Sequence, residues 1–333
     1  MYRPGHGIRL RSSARSDRGR VRQNNEDNIH LWPDDYDVLA VVADGMGGAV
    51  AGEEASRITV ETIQEKLKAG EYRQPADYRD FDSQALGELL RETVKKANHN
   101  IMARAIASPE LKGMGTTVTL AFARGNEVIL AHVGDSRAYY VDGDTHDIEQ
   151  ITTDHSFVQA LVDAGHLLPE DAKGHPMENV LYRALGQQDD LDVDIIPDFT
   201  IHSGDRLVLC SDGLTRHVEP DEISDISLDS DDPNEIGDKL IALANSRGGK
   251  DNISVIVIIA EADETVQVET TDTLASQQYK KDKKDEVPTV PMNPDFLKIS
   301  QMDKTLESSD KPPDKPLSSA YGEGKDNTLE PSG

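Results

Sequence analysis

Runs of apolar residues alternate with amphipathic segments along the chain as far as residue 262, and they predict strands and helices in blocks. Short apolar runs rich in branched side chains are typical of strands that are covered on both faces. We predict strands over 7–14, 27–32, 37–43, 116–124, 126–133, 136–141, 194–199, 206–211 and 253–260. Apolar residues spaced by three and four positions predict helices over 50–68, 83–106, 156–164, 177–185 and 235–247.

The order of these elements favours an α+β fold over alternating βαβ units. Short turns at Arg124–Asn126 and Asp142–Asp144 join consecutive strands and indicate antiparallel hairpins. The helices fall in pairs between the blocks of strands, which indicates helical layers that are segregated from the sheets.

Composition changes near residue 262 and divides the chain in two. Beyond that point prolines stand among Ser, Thr, Asp and Lys residues with few aromatics, and such a segment cannot bury enough apolar area to offset its ordering entropy. We therefore predict one domain over 1–262 and a disordered tail over 263–333. The tail is interpreted as a solubilising appendage in preference to a site of regulation by phosphorylation.

The charge and the cysteine content limit the classes of function. A formal net charge of −27 argues against a nucleic-acid binder, because phosphate backbones attract basic surfaces. The single cysteine, Cys210, excludes an internal disulfide and suits a reducing compartment. No apolar run approaches the length of a bilayer span. We expect a cytoplasmic monomer without membrane or nucleic-acid partners.

Acidic residues stand at the ends of predicted buried strands. Asp44 and Asp212 each follow a strand and precede a glycine, and Asp251 stands just before the strand over 253–260. Three carboxylates on a rigid framework converge only if cations offset their mutual repulsion. The pattern therefore predicts a metal centre. Because carboxylates dominate and the ten histidines form no His-x-x-x-His pair, Mg²⁺ or Mn²⁺ is favoured over zinc.

Three residues upstream of this pattern point to phosphate chemistry. The guanidinium of Arg22 offers paired planar donors to a phosphoryl group, and Glu26 and Asp27 beside it can orient metal-bound waters. Asp135 lies between two predicted strands. It is either part of a tight hairpin turn or an additional, weaker metal ligand at the same end of the strands.

Two other mechanisms compete with a carboxylate metal centre. A dinucleotide-binding loop at Gly45–Gly48 is disfavoured because Val50 stands where a third glycine or alanine belongs, and because Asp44 would repel a pyrophosphate. The spacing from Cys210 to Arg216 is that of thiol phosphatases. Asp212 inside that loop would repel phosphate and raise the pKa of the thiol, so Cys210 is interpreted as a core residue.

Six segments, taken in order, resemble the metal-dependent serine/threonine protein phosphatases of the 2C type (the PPM family), specifically the bacterial branch. The resemblance extends over about residues 7–260 and leaves out the tail. The matching segments are Ser16–Asp27, Ala43–Gly48, Gly113–Thr117, His132–Arg137, Leu209–Leu214 and Gly249–Asn252.

The resemblance implies a central β-sandwich of two antiparallel sheets flanked by pairs of α-helices, with a binuclear Mn²⁺ or Mg²⁺ centre at one end. It also assigns residue roles. A metal-bridging water would attack phosphorus without a phosphoenzyme, and the substrates would be phosphoserine and phosphothreonine in proteins phosphorylated by a bacterial Ser/Thr kinase. The implied metal ligands are Asp44, the Gly45 carbonyl, Asp212 and Asp251, with Asp135 for a third ion; the implied catalytic residues are Arg22, which binds the substrate phosphate, and Glu26 and Asp27 close to the centre.

One position departs from some relatives, mainly eukaryotic ones. They carry histidine, which could protonate the leaving group, where this chain has Met46, so the general acid is left unassigned between water and His155. His155 lies in the segment over 154–186, which resembles the family's mobile flap, but it is interpreted as an ordinary surface histidine. A catalytically silent phosphoprotein-binding module would lack a ligand or Arg22, and all of them are present.

Overall fold

The computed structural model describes residues 7–68 and 83–263, and their strands form two five-stranded sheets and one short ribbon. The predicted tail beyond Asp263 lies outside the described residues. The strands are β1 (Ile8–Asp17), β2 (Asn28–Pro33), β3 (Asp37–Ala43), β4 (Gly45–Met46), β5 (Gly115–Thr116), β6 (Val118–Arg124), β7 (Glu127–Val133), β8 (Arg137–Val141), β9 (Ile148–Gln150), β10 (Asp194–Thr200), β11 (Arg206–Cys210) and β12 (Ile253–Ala262). The helices are α1 (Ala49–Lys68), α2 (Ser83–Ala107), α3 (Phe157–Asp163), α4 (Pro169–Ala172), α5 (Asp212–Thr215), α6 (Pro220–Leu228) and α7 (Pro233–Ser246).

Every strand pairing in the two large sheets is antiparallel. The first sheet has the order β1-β12-β11-β8-β9, and the second has the order β10-β7-β6-β3-β2. The ribbon pairs β4 with β5. The predicted hairpins are confirmed, because the turn at Arg124–Asn126 joins β6 to β7 and the turn at Asp142–Asp144 lies between β8 and β9.

Alternate residues of the central strands face two different cores, which explains their continuous apolar runs. On β3, Val38 and Val42 pack into the core between the two sheets, whereas Leu39 and Val41 pack under α1 and α2. The outer face of the first sheet packs against α5, α6 and α7. The result is two sheets between helical layers, so the predicted α+β sandwich with flanking helix pairs is confirmed.

The predicted helix over 177–185 is wrong. Its backbone bonds run across to other segments instead of up a helix, since Tyr182 N–H donates to His155 O at 3.0 Å and Leu185 N–H donates to Thr116 O at 2.9 Å. The prediction also missed α6, although Glu219 and Glu222 form a capping box around its first turn.

The segment around Asp135 is not a hairpin turn. It follows β7 in the second sheet and precedes β8 in the first, so it crosses from one sheet to the other. None of the helices in the described ranges combines the length and apolarity that a bilayer span requires.

Candidate active site

The strand registers bring all the predicted site residues to one edge of the sandwich. Cys210 at the end of β11 lies opposite Arg137 and Val255, so Asp212, Asp135 and Asp251 emerge together. In the second sheet Asn28 lies opposite Ala43, which places Glu26 and Asp27 beside Asp44. A cleft of about 490 Å³ opens there, and its lining includes Arg22, Glu26, Asp44, Gly45, Asp135, Asp212, Arg216 and Asp251.

The backbone of Asp44 is held by Thr117, which lies between β5 and β6. Its N–H donates to Thr117 Oγ1 at 3.0 Å, and its carbonyl accepts from Thr117 N–H at 2.9 Å. Gly45 must be a glycine, because a Cβ there would lie 2.2 Å from the carbonyl oxygen of Gly52 in α1. The Asp-Gly sequence thus lets the start of α1 pack directly against the strand end.

Asp212 stands on the first turn of α5, and the same close packing recurs beside it. A Cβ on Gly213 would lie 1.8 Å from the carbonyl oxygen of Asn252. Asn252 in turn accepts from the Glu26 N–H through Oδ1 at 2.9 Å and donates through Nδ2 to the carbonyls of Arg18 and Asn24. The loop before β12 is thereby tied to the segment that carries Arg22 and Glu26.

Asp27 lies beneath the cleft and is 6% exposed. Its Oδ2 accepts from Ser211 Oγ at 2.8 Å and from Ser254 Oγ at 2.7 Å. Its Oδ1 is buried and finds no hydrogen-bond partner among the described residues. The two serines fix the carboxylate in one orientation and leave one oxygen free.

Arg22 reaches over the cleft from the loop after β1. Its Nη2 donates to Asp251 Oδ2 at 2.8 Å, and its Nη1 lies 3.7 Å from Glu26 Oε1. The side chain of Arg22 is 46% exposed, so the guanidinium is accessible from the cleft. Its two acidic neighbours hold it above the other carboxylates.

Asp135 joins the two sheets at the cleft edge. The next residue, Ser136, contacts Thr117 Oγ1 through its hydroxyl at 2.7 Å, so the Asp135 link and the Asp44 backbone share one partner. Sequence reasoning thus placed Asp135 at the correct end of the strands, and the sheet crossover supplies the reason.

The carboxylates are close enough to disfavour one another's charge. Burial, followed by repulsion from Asp27 and Asp212, raises the pKa of Asp44 well above its usual range. Burial and Asp212 raise the pKa of Asp135 to about 8, and burial raises the pKa of Asp27 to about 7 although the two serine hydroxyls act against it. The pKa of Asp212 is raised as well, chiefly by burial.

The donor set fits hard divalent cations. Asp212 Oδ1, like Asp27 Oδ1, is buried without a partner in the described part of the chain, and carboxylate oxygens of this kind are donors that a hard divalent cation would engage. The acids are not arranged as a closed shell: within 7–68 and 83–263 no group of three or more His, Cys, Asp or Glu side chains is already positioned around an ion. Arg22 and Arg216 hold Asp251 and Asp212 instead.

Comparison with known proteins identifies the family. A model of protein phosphatase 2C matches residues 17–254. The chain belongs to the protein phosphatase 2C family. This phosphatase is 37% identical over 252 residues to the serine/threonine phosphatase Stp of Listeria monocytogenes, a match that covers 75% of this chain and 95% of that relative.

Solved structures agree with the sandwich. The crystal structure of the serine/threonine phosphatase PstP/Ppp of Mycobacterium tuberculosis matches with a TM-score of 0.66 at 36% identity, over 76% of this chain and 99% of that one. A structure of the PstP catalytic domain in complex with two manganese ions matches with a TM-score of 0.64 at 35% identity, again over 76% and 99%. The predicted family and fold are confirmed.

His155 of this phosphatase is not a surface histidine, so that interpretation is wrong. It is 1% exposed; its Nδ1 accepts from Gly134 N–H at 3.0 Å, and its Nε2 lies 3.1 Å from Asp194 Oδ2. Arg183 also contacts Asp194 Oδ1 at 2.5 Å. The signal that sequence reasoning missed is long-range, since Asp194 lies on β10, outside the segment over 154–186.

Arg216 is the site residue that sequence reasoning set aside. In the sequence it marks only the end of a thiol-phosphatase spacing, and the signal for its place in the cleft is its position four residues after Asp212. Cys210, by contrast, packs among Tyr139, Val208 and Val257, and burial raises the pKa of its thiol to about 12. Its interpretation as a core residue is confirmed.

Proposed function

We propose that this protein phosphatase hydrolyses phosphoserine and phosphothreonine in proteins with two bound Mn²⁺ or Mg²⁺ ions. The observation that carries the proposal is the gathering of Asp44, Asp212 and Asp251 at one cleft edge, with a buried oxygen of Asp212 left without a partner in the described ranges. The two manganese ions of the PstP catalytic domain support both the number and the kind of ion.

The ions would be held by Asp44, the Gly45 carbonyl, Asp212 and Asp251, and Asp135 would serve a third ion. All of these are oxygen donors, which Mg²⁺ and Mn²⁺ prefer. Bound there, the ions would supply Lewis acidity and lower the pKa of water enough to make a nucleophile at neutral pH.

Arg22 would bind and orient the substrate phosphate. Its accessible guanidinium can offer two parallel N–H donors to phosphoryl oxygens, and Glu26, 3.7 Å away, would keep it in place. Charge that develops on those oxygens would be offset by a group already positioned for it.

Asp27 would act from below the cleft. The Ser211 and Ser254 hydroxyls hold its Oδ2, so Oδ1 is the atom that would help to orient a water beside the bound ions.

Protonation of the leaving group would come from solvent. Met46 lines the cleft but has no proton to donate, and both ring nitrogens of His155 are engaged by Gly134 and Asp194. Of the two candidates for the general acid, water and His155, water would therefore protonate the leaving group.

The test compares Asp212→Asn with Cys210→Ser on a phosphothreonine peptide. We expect Mn²⁺-dependent hydrolysis that chelator abolishes, a loss of about a thousandfold in kcat/KM for Asp212→Asn, and little change for Cys210→Ser. Activity that survives chelation and disappears in Cys210→Ser would instead establish the thiol mechanism. If wild type shows no hydrolysis at any Mn²⁺ concentration, the protein is instead a catalytically silent phosphoprotein-binding module. No feature of the site favours that alternative.

The proposal also includes the substrates, the location and the oligomeric state of the enzyme. The substrates would be proteins phosphorylated by a bacterial Ser/Thr kinase, and the enzyme would work as a cytoplasmic monomer. A single cysteine supports a reducing compartment, and the net charge of −27 speaks against nucleic acid as a partner.

A further inference from the structure

Arg216 lies inside the acidic cleft, one helical turn after Asp212. Its Nε donates to Asp212 Oδ2 at 3.0 Å, and its Nη2 contacts the same oxygen more closely. The side chain of Arg216 is only 29% exposed, so solvent screens this ion pair less than a surface pair. Arg216 caps the C-terminal end of the short helix α5, and its position four residues after Asp212 places both side chains on the same face.

The same guanidinium approaches a second acid. Arg216 Nη1 lies 3.8 Å from Asp251 Oδ2, on the loop before β12. A guanidinium stays protonated at any working pH. A fixed positive charge therefore stands between two of the proposed metal ligands.

The ion pair neutralises the acids only in part. Asp212 Oδ1 stays buried without a partner in the described chain while Oδ2 is engaged by Arg216. A divalent cation bound at Asp212 would therefore share the carboxylate with a guanidinium that repels it.

We propose that Arg216 is a resident counter-ion of the metal-free centre, which competes with divalent cations for Asp212 and Asp251 and thereby raises the metal concentration needed to load the site. This rests on the proposed metal ligands. It assigns Arg216 a role distinct from that of Arg22, whose side chain is more exposed and is held by Glu26 as well as by Asp251.

The experiment measures Mn²⁺ binding by calorimetry to the full chain after chelator has been removed. Arg216→Gln, which removes the charge and keeps most of the length, should bind Mn²⁺ about tenfold more tightly than wild type, since one nearby charge is lost. Arg216→Lys, which keeps the charge, should stay close to wild type. Arg57→Gln is the matched control: it removes the same charge from an ion pair on α1 that lies outside the cleft lining, and we expect no change.

A second measurement is independent of metal. In chelator, Arg216→Gln should melt at a lower temperature than wild type, because Asp212 loses its charged partner. Mn²⁺ affinity in Arg216→Gln that is unchanged or weaker would overturn the counter-ion role, and so would an unchanged melting temperature in chelator. Wild type that binds no Mn²⁺ would refute the proposed metal site itself, so the two failures are distinguishable.

Discussion

At the residue scale, the site depends on glycines that follow acids. Gly45 and Gly213 each bring another backbone within a distance that leaves no room for a Cβ. The acids at the strand ends could be predicted from sequence because the same arrangement recurs at Asp44, Asp212 and Asp251, and three carboxylates converge only where cations offset their repulsion. The close backbone approach that makes the glycines necessary could not, since it joins Gly213 to Asn252 across a long stretch of chain.

Gly213→Ala should destabilise the domain and weaken Mn²⁺ binding. The new Cβ would lie 1.8 Å from a backbone carbonyl, which cannot move aside like a side chain, so we expect a loss of about 3 kcal/mol in the free energy of unfolding. Urea unfolding in chelator measures it.

Gly87→Ala in α2 is the control. Its Cβ would meet side-chain methyl groups and no backbone atom, Ile195 Cγ2 at 3.0 Å and Ile129 Cδ1 at 3.4 Å, and helix propensity favours alanine there by about 1 kcal/mol. Equal losses in the two variants would contradict the close-approach argument.

At the element scale, the segment over 154–186 is where sequence patterns were least informative. Its apolar spacing near 177–185 imitates a helix, but the residues are fixed by bonds to distant partners: Ser156 pairs with Leu181, and Thr116 pairs with Leu185. Asp194 on β10 binds both His155 and Arg183, which lie near the two ends of this segment. The spacing of apolar residues within a segment cannot predict a contact with a residue on a distant strand.

Asp194→Asn should loosen the segment while leaving the carboxylate cleft intact. We expect faster trypsin cleavage after the exposed Lys173 and a higher KM for a phosphopeptide, by roughly fivefold, with kcat on a small aryl phosphate near wild type. Limited proteolysis and steady-state kinetics measure these effects.

Asp192→Asn is the matched control, because Asp192 is 79% exposed and only approaches Arg183 at 3.7 Å. If both variants are cleaved at the wild-type rate, Asp194 does not anchor this segment.

At the scale of the whole molecule, the order of the apolar runs predicts an α+β fold of antiparallel strands, whereas the two-sheet sandwich was implied by the resemblance to the 2C-type phosphatases. Alternating burial on β3 and its neighbours explains why the runs look continuous, and their length and turns were enough to predict antiparallel sheets with segregated helices. The crossover at Asp135 was not predictable, because a short Gly-containing link between two strands also suits a hairpin.

The metal-free protein should lose stability as pH rises. The pKa values of Asp27 and Asp135 are raised from 3.8 to about 7 and about 8, so their contribution is fully present below about pH 4 and disappears as pH passes those values. We expect the free energy of unfolding in chelator to fall by on the order of 1 kcal/mol per pH unit between pH 6.5 and 8.5. Saturating Mn²⁺ should stabilise the protein more at pH 8.5 than at pH 6.5.

The pH range for this measurement begins at 6.5 because burial lowers the pKa of His132 to about 3. Below pH 6.5 this histidine makes the free energy of unfolding rise with pH, which opposes the effect of the two acids. Urea unfolding at three pH values, with and without Mn²⁺, provides the measurement. If the difference in the free energy of unfolding with and without Mn²⁺ does not grow with pH, the pKa values of Asp27 and Asp135 are not raised.

The crossover at Asp135 also affects mechanics. Asp44 extends from the second sheet, Asp212 and Asp251 extend from the first, and Asp135 lies on the chain that connects the two. Ions held by all of them would cross-link the halves of the sandwich at one rim, where the inter-sheet core ends. Sliding of one sheet over the other would then alter the spacing of the proposed ligands, so a substitution deep between the sheets would lower catalytic activity without contacting the cleft.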